Sequence, residues 1–213
     1  MAVSAPSAPA ARPATASDVA LVMMDTREPD TLIELATAPS ISLKYNVSTL
    51  HFAYFLNLKY ACTHGYTLLY YRLMRDGCEH PLWGARHPSY CKLAAIAAAL
   101  EEGYGYVVWT DSDAFVREVA LDLPSLLRRY GGEPGATRHV TDAYFGWDAP
   151  YSLGPNAGFV VLRGTAGARE LLAVWWQLYH GRYGLEHAFE QHALHWQLMH
   201  LQPFRRRIAT LRH

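Results

Sequence analysis

The chain has 213 residues, which is long enough for one substantial domain with a well-buried core. Hydrophobic residues make up 51% of the sequence, and this proportion excludes wholesale disorder. Lys plus Arg and Asp plus Glu number 19 each, so the formal net charge is zero and the composition does not favour non-specific nucleic-acid binding. No apolar run approaches the roughly 18–20 residues of a membrane-spanning helix.

The first segment, residues 1–17, is low in complexity and consists mainly of Ala, Pro and Ser. It contains no apolar core of the kind that a signal peptide carries. Because Pro limits helix formation, we predict a disordered arm here. No further domain boundary is apparent, so residues 18–213 are predicted to form a single domain.

The first half of this domain alternates predicted strands with predicted helices. Apolar runs indicate the strands, apolar residues at helical spacing indicate the helices, and Gly65 and Gly103 suit the helix ends. In chain order the elements are a strand at 19–24, a helix at 47–63, a strand at 66–71, a helix at 89–102 and a strand that ends at Trp109. This order predicts right-handed crossovers and an α/β fold, in which helices flank a mostly parallel sheet.

The second half of the domain is less regular, because Gly and Pro interrupt its shorter apolar segments. The predicted elements are a helix at 123–129, a loop at 131–137, a strand at Ala143–Trp147, a turn-rich segment at 153–158, a strand at 159–162, and helices at 165–180 and 185–201. Pro203 is predicted to end the last helix. The basic run 205–207 is predicted to be a solvated tail.

Two carboxylates directly follow the predicted inner strand. Val107, Val108 and Trp109 favour extended backbone, and so short an apolar run without polar alternation indicates a strand covered on both faces. Asp111 and Asp113 come next, and in such sheets ligands gather outside the carboxyl ends of the strands. At about 3.3 Å per residue, the two side chains would project to one side, roughly 6–7 Å apart.

An acidic pair in this position favours a bound cation, because the two carboxylates repel each other and lose solvation. Hard divalent ions such as Mn²⁺ or Mg²⁺ bind carboxylate oxygens, often with substrate phosphates completing the shell. The motif therefore predicts a site for a nucleotide diphosphate. The ordinary alternative is a solvated turn, because Asp-Ser-Asp is also good turn and N-cap material.

Neither the cysteines nor the histidines predict a zinc site. Cys62, Cys78 and Cys91 cannot all pair within the chain, so one disulfide with a free thiol and three free thiols both stay open. No Cys or Cys/His pair stands at structural-zinc spacing. The histidines near the last predicted helix do not extend into a tight ligand set; they are His187, His192, His195 and His200.

Several segments, in this order and spacing, resemble glycosyltransferase family 34, the galactosyl-, mannosyl- and xylosyltransferases of the Golgi. The resemblance covers roughly residues 45–200. The segments are Asn57-Leu-Lys-Tyr-Ala-Cys-Thr-His-Gly-Tyr-Thr-Leu, His87-Pro-Ser-Tyr-Cys-Lys92, Trp109-Thr-Asp-Ser-Asp-Ala114, Asn156-Ala-Gly-Phe-Val-Val-Leu-Arg163, Trp175 and Glu190-Gln191-His-Ala-Leu194.

The resemblance implies a GT-A fold and a retaining transferase in the Golgi lumen. It also implies Mn²⁺ or Mg²⁺, a UDP- or GDP-sugar donor and an oligosaccharide or glycoprotein acceptor. Asp113 would bind the metal directly, Asp111 would reach the ribose or the metal through water, and Ser112 would line the nucleotide pocket. Lys92 would be a counter-charge for the diphosphate; the alternative is an ordinary solvated lysine at a helix start.

Four further residues would contact the donor sugar. Gly158 permits close backbone approach, and the Asn156 amide both donates to and accepts from a hydroxyl; the alternative is a plain turn before a strand. Gln191 would lie against the reacting face, with its carbonyl oxygen near the anomeric carbon. Glu190 would bind sugar hydroxyls or act as a nucleophile. We favour front-face substitution, in which the departing phosphate helps to deprotonate the acceptor.

The chain also departs from the pattern of family 34. Tyr90 stands where the family has Trp, and Glu190 stands where it has Asp. The family's membrane anchor is not seen, and the sequence ends at His213, before the family's C-terminal metal-binding histidine. These departures leave a rival from another class, a non-catalytic nucleotide-sugar or glycan-binding partner of an active transferase. A nucleotidyltransferase or phosphatase is less favoured, because no Gly-rich phosphate loop or Asp-x-Asp-x-Thr motif is present.

Overall fold

A computed structural model describes residues 18–27, 49–74, 77–130, 141–147, 154–178, 189–196 and 198–211. The strands are β1 (Val19–Asp25), β2 (Thr67–Arg72), β3 (Cys78–His80), β4 (Gly84–Arg86), β5 (Tyr106–Thr110), β6 (Ala143–Trp147), β7 (Pro155–Arg163) and β8 (Ile208–Leu211). The helices are α1 (Thr49–His64), α2 (Cys91–Glu101), α3 (Leu123–Tyr130), α4 (Ala166–Gln177), α5 (Phe189–Trp196) and α6 (Gln202–Arg205), with 3-10 turns at Pro88–Tyr90 and Leu198–His200. None of these described helices is long and apolar enough to cross a membrane.

Six strands form one mixed sheet in the order β2-β1-β5-β7-β6-β8, and β3 pairs with β4 in a small separate ribbon. In the large sheet β1 runs parallel to β2 and β5, and β6 runs parallel to β8. Only β7 runs the other way, antiparallel to both β5 and β6. The predicted α/β fold, with a mostly parallel sheet flanked by helices, is therefore confirmed. The arm predicted at 1–17 lies outside the described residues.

Helices cover both faces of the sheet, which explains why its inner strands are continuous apolar runs. Along β1, Ala20 and Val22 pack with α2 and α4 on one face, while Leu21 packs with α1 and α3 on the other. The same alternation divides Val107 from Val108 in β5. All five side chains are buried. Burial on both faces fixes the strand register and with it the place where each strand ends.

Two predictions in the second half are wrong. The turn assigned to 153–158 is already strand from Pro155, because Gly146 and Trp147 pair with this segment across a bulge. Pro is tolerated as the first residue of a strand, so it marks the start of β7 rather than a turn. Pro203 does not follow a helix running to residue 201; the described helix ends at Trp196, and Pro203 lies in the first turn of α6.

The basic run is a solvated tail only in part, because Arg205 and Arg206 are exposed whereas Arg207 is half-buried. Arg207 Nε donates to Asp142 Oδ2, and its Nη1 donates to Glu170 Oε2 at 3.0 Å. Arg207 immediately precedes β8, which pairs with β6 at the sheet edge. The predicted loop at 131–137 lies outside the described residues.

The cysteines adopt one of the two arrangements that the sequence left open. Cys78 and Cys91 form a disulfide, while Cys62 is an exposed thiol. The bond joins the β3–β4 ribbon to the first residue of α2, the helix that carries Lys92. It therefore anchors the start of that helix at the point where the helix meets the sheet edge.

Candidate functional site

The candidate site lies where β5 ends and β7 begins. Because β7 is antiparallel to β5, its first residues lie at the carboxyl edge of the parallel strands. Thr110 is opposite Phe159 in the register, and the N–H of the next residue, Asp111, donates a 2.8 Å hydrogen bond to Gly158 O. The Asp-Ser-Asp segment and the Asn-Ala-Gly segment, far apart in sequence, are therefore neighbours.

The backbone after β5 does turn, because Ala114 N–H donates to Asp111 O at 2.9 Å. The Asp111 side chain has a different task. Its Oδ1 accepts hydrogen bonds from Trp109 Nε1 at 2.7 Å and from Lys92 Nζ at 2.8 Å. Asp113 is exposed at the rim. The turn and the charged site are thus both present, and the turn directs the carboxylates into a cavity.

Lys92 is the centre of the charge arrangement. Its side chain is only 4% exposed, and Nζ lies 2.8 Å from both Asp111 Oδ1 and Glu190 Oε1. It also donates to Ala157 O at 3.2 Å. Burial disfavours the charged ammonium, but the Glu190 and Asp111 carboxylates outweigh this effect and raise the pKa of Lys92. The alternative of an ordinary solvated lysine is excluded by this burial.

Glu190 and Gln191 enter the site from the first turn of α5. The Glu190 side chain is 7% exposed, and the backbone carbonyl oxygen of Glu190 accepts a 2.9 Å hydrogen bond from Trp175 Nε1. Gln191 Oε1 accepts from Ala157 N–H at 2.8 Å. Just before them, Phe189 has a φ of +24°, a backbone conformation that costs energy in a residue with a side chain. Strain of this kind persists only where surrounding contacts hold the backbone in place.

Gly158 is required by close approach. A Cβ at this position would lie 2.9 Å from Asn156 Oδ1 and 3.2 Å from Asp111 Oδ2. Asn156 Oδ1 is held there because it accepts from Gly158 N–H at 2.7 Å. The missing side chain therefore lets the amide of Asn156 and the carboxylate of Asp111 share one small space.

A cavity of about 380 Å³ opens in front of these groups. Five of the eight predicted site residues line this cavity: Lys92, Asp111, Ser112, Asp113 and Glu190. The other three lie behind or beside it, because Gln191 binds the backbone of the segment that carries Asn156 and Gly158. The structure therefore brings all eight predicted residues to one edge of the sheet.

Sequence reasoning missed Asp25, which lines the same cavity at the carboxyl end of β1. Arg27 binds its carboxylate with Nε at 2.8 Å and Nη2 at 2.9 Å. The Arg27 hydrogen bonds are the main cause that lowers the pKa of Asp25 to about 2; burial opposes them, and a hydrogen bond with Ser112 assists. The signal was available, because Asp25 follows an apolar strand just as Asp111 does.

The donor set suits a hard divalent ion in part. Asp111 and Asp113 supply carboxylate oxygens at the cavity, and such ions are often held by one or two carboxylates together with substrate phosphates. Within the described ranges, no group of three or more His, Cys, Asp or Glu side chains is placed to hold a metal ion. His195 contacts the Pro155 carbonyl oxygen, and His187 lies outside the described residues. The protein groups present therefore fit a metal that shares its shell with a phosphate ligand.

Comparison with known proteins extends the account of the fold. No protein-family model matches the chain, and no curated protein sequence is significantly similar to it. A solved structure that resembles it is the crystal structure of a glycosyltransferase involved in the glycosylation of the major capsid of PBCV-1. The two share 15% identity with a TM-score of 0.58, over 90% of this chain and 80% of that one. At this identity the likeness shows a shared fold, and membership of family 34 stays a prediction.

Proposed function

We propose that the protein is a glycosyltransferase, which moves a sugar from a nucleotide-diphosphate donor to a hydroxyl group of a glycan acceptor. One observation carries the proposal: the acidic pair after β5 meets a buried lysine and a glutamate in one cavity at the carboxyl edge of the sheet. Ligands of open α/β sheets bind at this edge. The fold shared with a known glycosyltransferase supports the same conclusion.

The charge of the cavity supports a metal-dependent reaction. Its lining contains four carboxylates and the ammonium of Lys92, and Arg27 balances one carboxylate, that of Asp25. Lys92 balances one of the remaining three, so two uncompensated negative charges are left among Asp111, Asp113 and Glu190. Such a cavity repels a diphosphate unless a cation is bound with it. A divalent ion, Mn²⁺ or Mg²⁺, held by Asp113 and Asp111, would supply that charge and act as a Lewis acid.

Lys92 acts in this proposal by positioning two carboxylates. It holds the Asp111 and Glu190 carboxylates close to each other, because both bind one buried ammonium at 2.8 Å. A diphosphate would therefore meet Lys92 as a partly neutralised group rather than as a free counter-charge. Gln191 fixes the neighbouring segment, because its Oε1 accepts from Ala157 N–H.

Glu190 is a poor nucleophile in this arrangement, because attack would require it to leave a buried ion pair. We therefore favour front-face substitution with retention of configuration. The bond between the anomeric carbon and the phosphate oxygen breaks, the acceptor oxygen bonds to that carbon, and the acceptor proton passes to the departing phosphate. Asp111 and Glu190, held by Lys92, orient the donor.

The disulfide supports a secretory compartment, where such bonds form and persist. Together with the resemblance to family 34, it leads us to propose the Golgi lumen as the site of action. Imaging of the tagged full chain with a Golgi marker tests this; a purely cytosolic distribution would reject it.

Turnover tests the function itself. Purified protein with Mn²⁺ is incubated with UDP- and GDP-sugars and a panel of oligosaccharides, and sugar transfer and donor hydrolysis are measured. Asp113→Asn removes one negative charge from the cavity rim, and Glu79→Gln, at an exposed position of β3, removes one elsewhere as the matched control. We expect a loss of at least tenfold in the first variant only. Equal rates in both variants would reject the role of Asp113, and nucleotide binding without any turnover would favour a non-catalytic binding partner.

A further inference from the structure

A second cavity, of about 310 Å³, lies beside the first at the same edge of the sheet. It is formed where β6 and β8 end and β7 begins, and Trp147, Leu211 and Asn156 mark these three positions. Its volume is at the lower end of the roughly 300–1,000 Å³ that is typical of small-molecule sites. We propose that this cavity binds the acceptor as an oligosaccharide, an inference that rests on the proposed transferase function.

The two cavities share a wall. Asn156 lines the second cavity, and Asp111 lines the first. Asn156 Oδ1 and Asp111 Oδ2 lie 2.9 Å and 3.2 Å from the position that a Cβ at Gly158 would occupy, so the two side chains are neighbours. Phe115 lines the second cavity and follows Asp113 by two residues, so one turn supplies groups to both. A ligand in the second cavity would therefore lie next to a donor held at the acidic pair, separated from it by the Asn156 amide.

The second cavity differs from the first in chemistry. Four aromatic side chains line it, and they are Phe115, Tyr130, Trp147 and Phe159. Its acidic group, Glu118, is already engaged by Arg129 at 3.2 Å and by Tyr130 Oη at 3.1 Å. Aromatic rings offer apolar faces to the C–H surfaces of a sugar ring, while Asn156 and the polar rim can bind its hydroxyls. Arg117 also lines the cavity and is exposed, so the match to a glycan rests on the four aromatic rings and not on the charge of the lining.

Two exposed aromatic side chains, Phe115 and Phe52, lie at the mouth of the cavity. Phe115 is 40% exposed and contacts the exposed ring of Phe52 edge-to-face, at 5.2 Å between centroids. Large aromatic side chains grouped at the surface mark a ligand or interaction site more often than a plain surface. Because this pair adjoins the cavity, it extends the same surface beyond one sugar unit. The geometry therefore points to an oligosaccharide rather than a monosaccharide.

Saturation-transfer NMR tests the proposal without requiring turnover. The full chain, with Mn²⁺ and UDP or GDP present, is titrated with cellotetraose, mannotetraose and maltotetraose as the probes. Phe115→Ala removes a ring from the cavity, and Phe55→Ala removes a ring of similar exposure, 48%, from the outside of α1. We expect the dissociation constant of the bound oligosaccharide to rise about tenfold in the first variant, equal to about 1.4 kcal/mol, and to stay unchanged in the control.

Calorimetric titration of the same samples with the nucleotide diphosphates separates the two hypotheses. Retained nucleotide binding in Phe115→Ala, together with weakened oligosaccharide binding, supports the acceptor cavity and shows that the variant is folded. If the native protein binds a nucleotide but none of the oligosaccharides, or if Phe115→Ala binds them as tightly as the control, the acceptor assignment is overturned alone. If the native protein binds neither kind of ligand, the proposed function is overturned with it.

Discussion

Replacing Lys92 with Met tests the charge arrangement most severely. Met has similar volume and flexibility but carries no charge, so the change leaves Asp111 and Glu190 facing each other around an apolar group. In the native protein each of these carboxylates lies 2.8 Å from the same Nζ. Breaking a buried ion network by removing one partner costs about 3–5 kcal/mol. For a chain of this size each kcal/mol lowers the melting temperature by about 2–4 °C, so we expect a fall of about 6–20 °C.

The pH dependence separates loss of charge from loss of packing. In the variant, the uncompensated carboxylates hold protons more tightly in the folded than in the unfolded state, so folded stability falls as pH rises from about 4 towards 7. In the native protein the raised pKa of Lys92 gives stability that is complete below its ordinary value of 10.5 and is lost only above it. Urea denaturation at pH 5 and pH 7.5 gives the free energy of unfolding of both proteins. Lys59→Met, on the exposed side of α1, is the matched control.

Adding Glu190→Gln to Lys92→Met should restore part of the lost stability, because it removes the repulsion that the first change exposes. A loss below about 1 kcal/mol in Lys92→Met, or a loss that is the same at both pH values, would refute the reasoning. A small loss would mean that the contact is solvated, and a loss that is independent of pH would mean that Lys92 contributes packing rather than charge.

Two further predictions concern the walls of the first cavity. Gly158→Ala places a Cβ 2.9 Å from Asn156 Oδ1, and this overpacking should cost about 1–3 kcal/mol by urea denaturation; Gly146→Ala, whose nearest neighbour would be 3.7 Å away, is the control and should cost clearly less. Asp25 has a pKa of about 2 beside Arg27, against an ordinary value of 3.8, so its contribution is complete above about pH 4 and is lost as pH falls towards 2. Asp25→Asn should make the free energy of unfolding depend less on pH in that window, as measured by urea denaturation. An unchanged pH dependence there would contradict the ion pair.

Local sequence features predicted the centre of the fold and one half of the site. The apolar run before Asp111 could be assigned to an inner strand because burial on both faces leaves no polar alternation, and acidic residues at its end then fall at the ligand-binding edge. The same rule applies to Asp25, but its neighbours Thr26 and Arg27 resemble an ordinary surface turn. Nothing in the local sequence shows that β1 lies next to β5, so Asp25 could not be assigned to the site.

The remaining features depend on tertiary structure. The ion pair of Lys92 with Glu190 joins residues 98 positions apart and requires α5 to reach the start of α2. β7 could not be recognised as antiparallel from its apolar pattern, and this reversal is what brings Asn156 to the site. β8 is a short edge strand of half-buried residues, and such a segment has neither the alternation nor the continuous apolar run that identifies a strand.

Calorimetric titration of the native protein with UDP and with GDP, in Mn²⁺ and again in EDTA, tests the central claim most directly. In our proposal the cavity is too negative to accept a diphosphate alone. We therefore predict that one of these nucleotides binds at least tenfold more tightly with the divalent ion, a difference of about 1.4 kcal/mol or more. Equal affinity in EDTA, or no binding of either nucleotide in Mn²⁺, would contradict it.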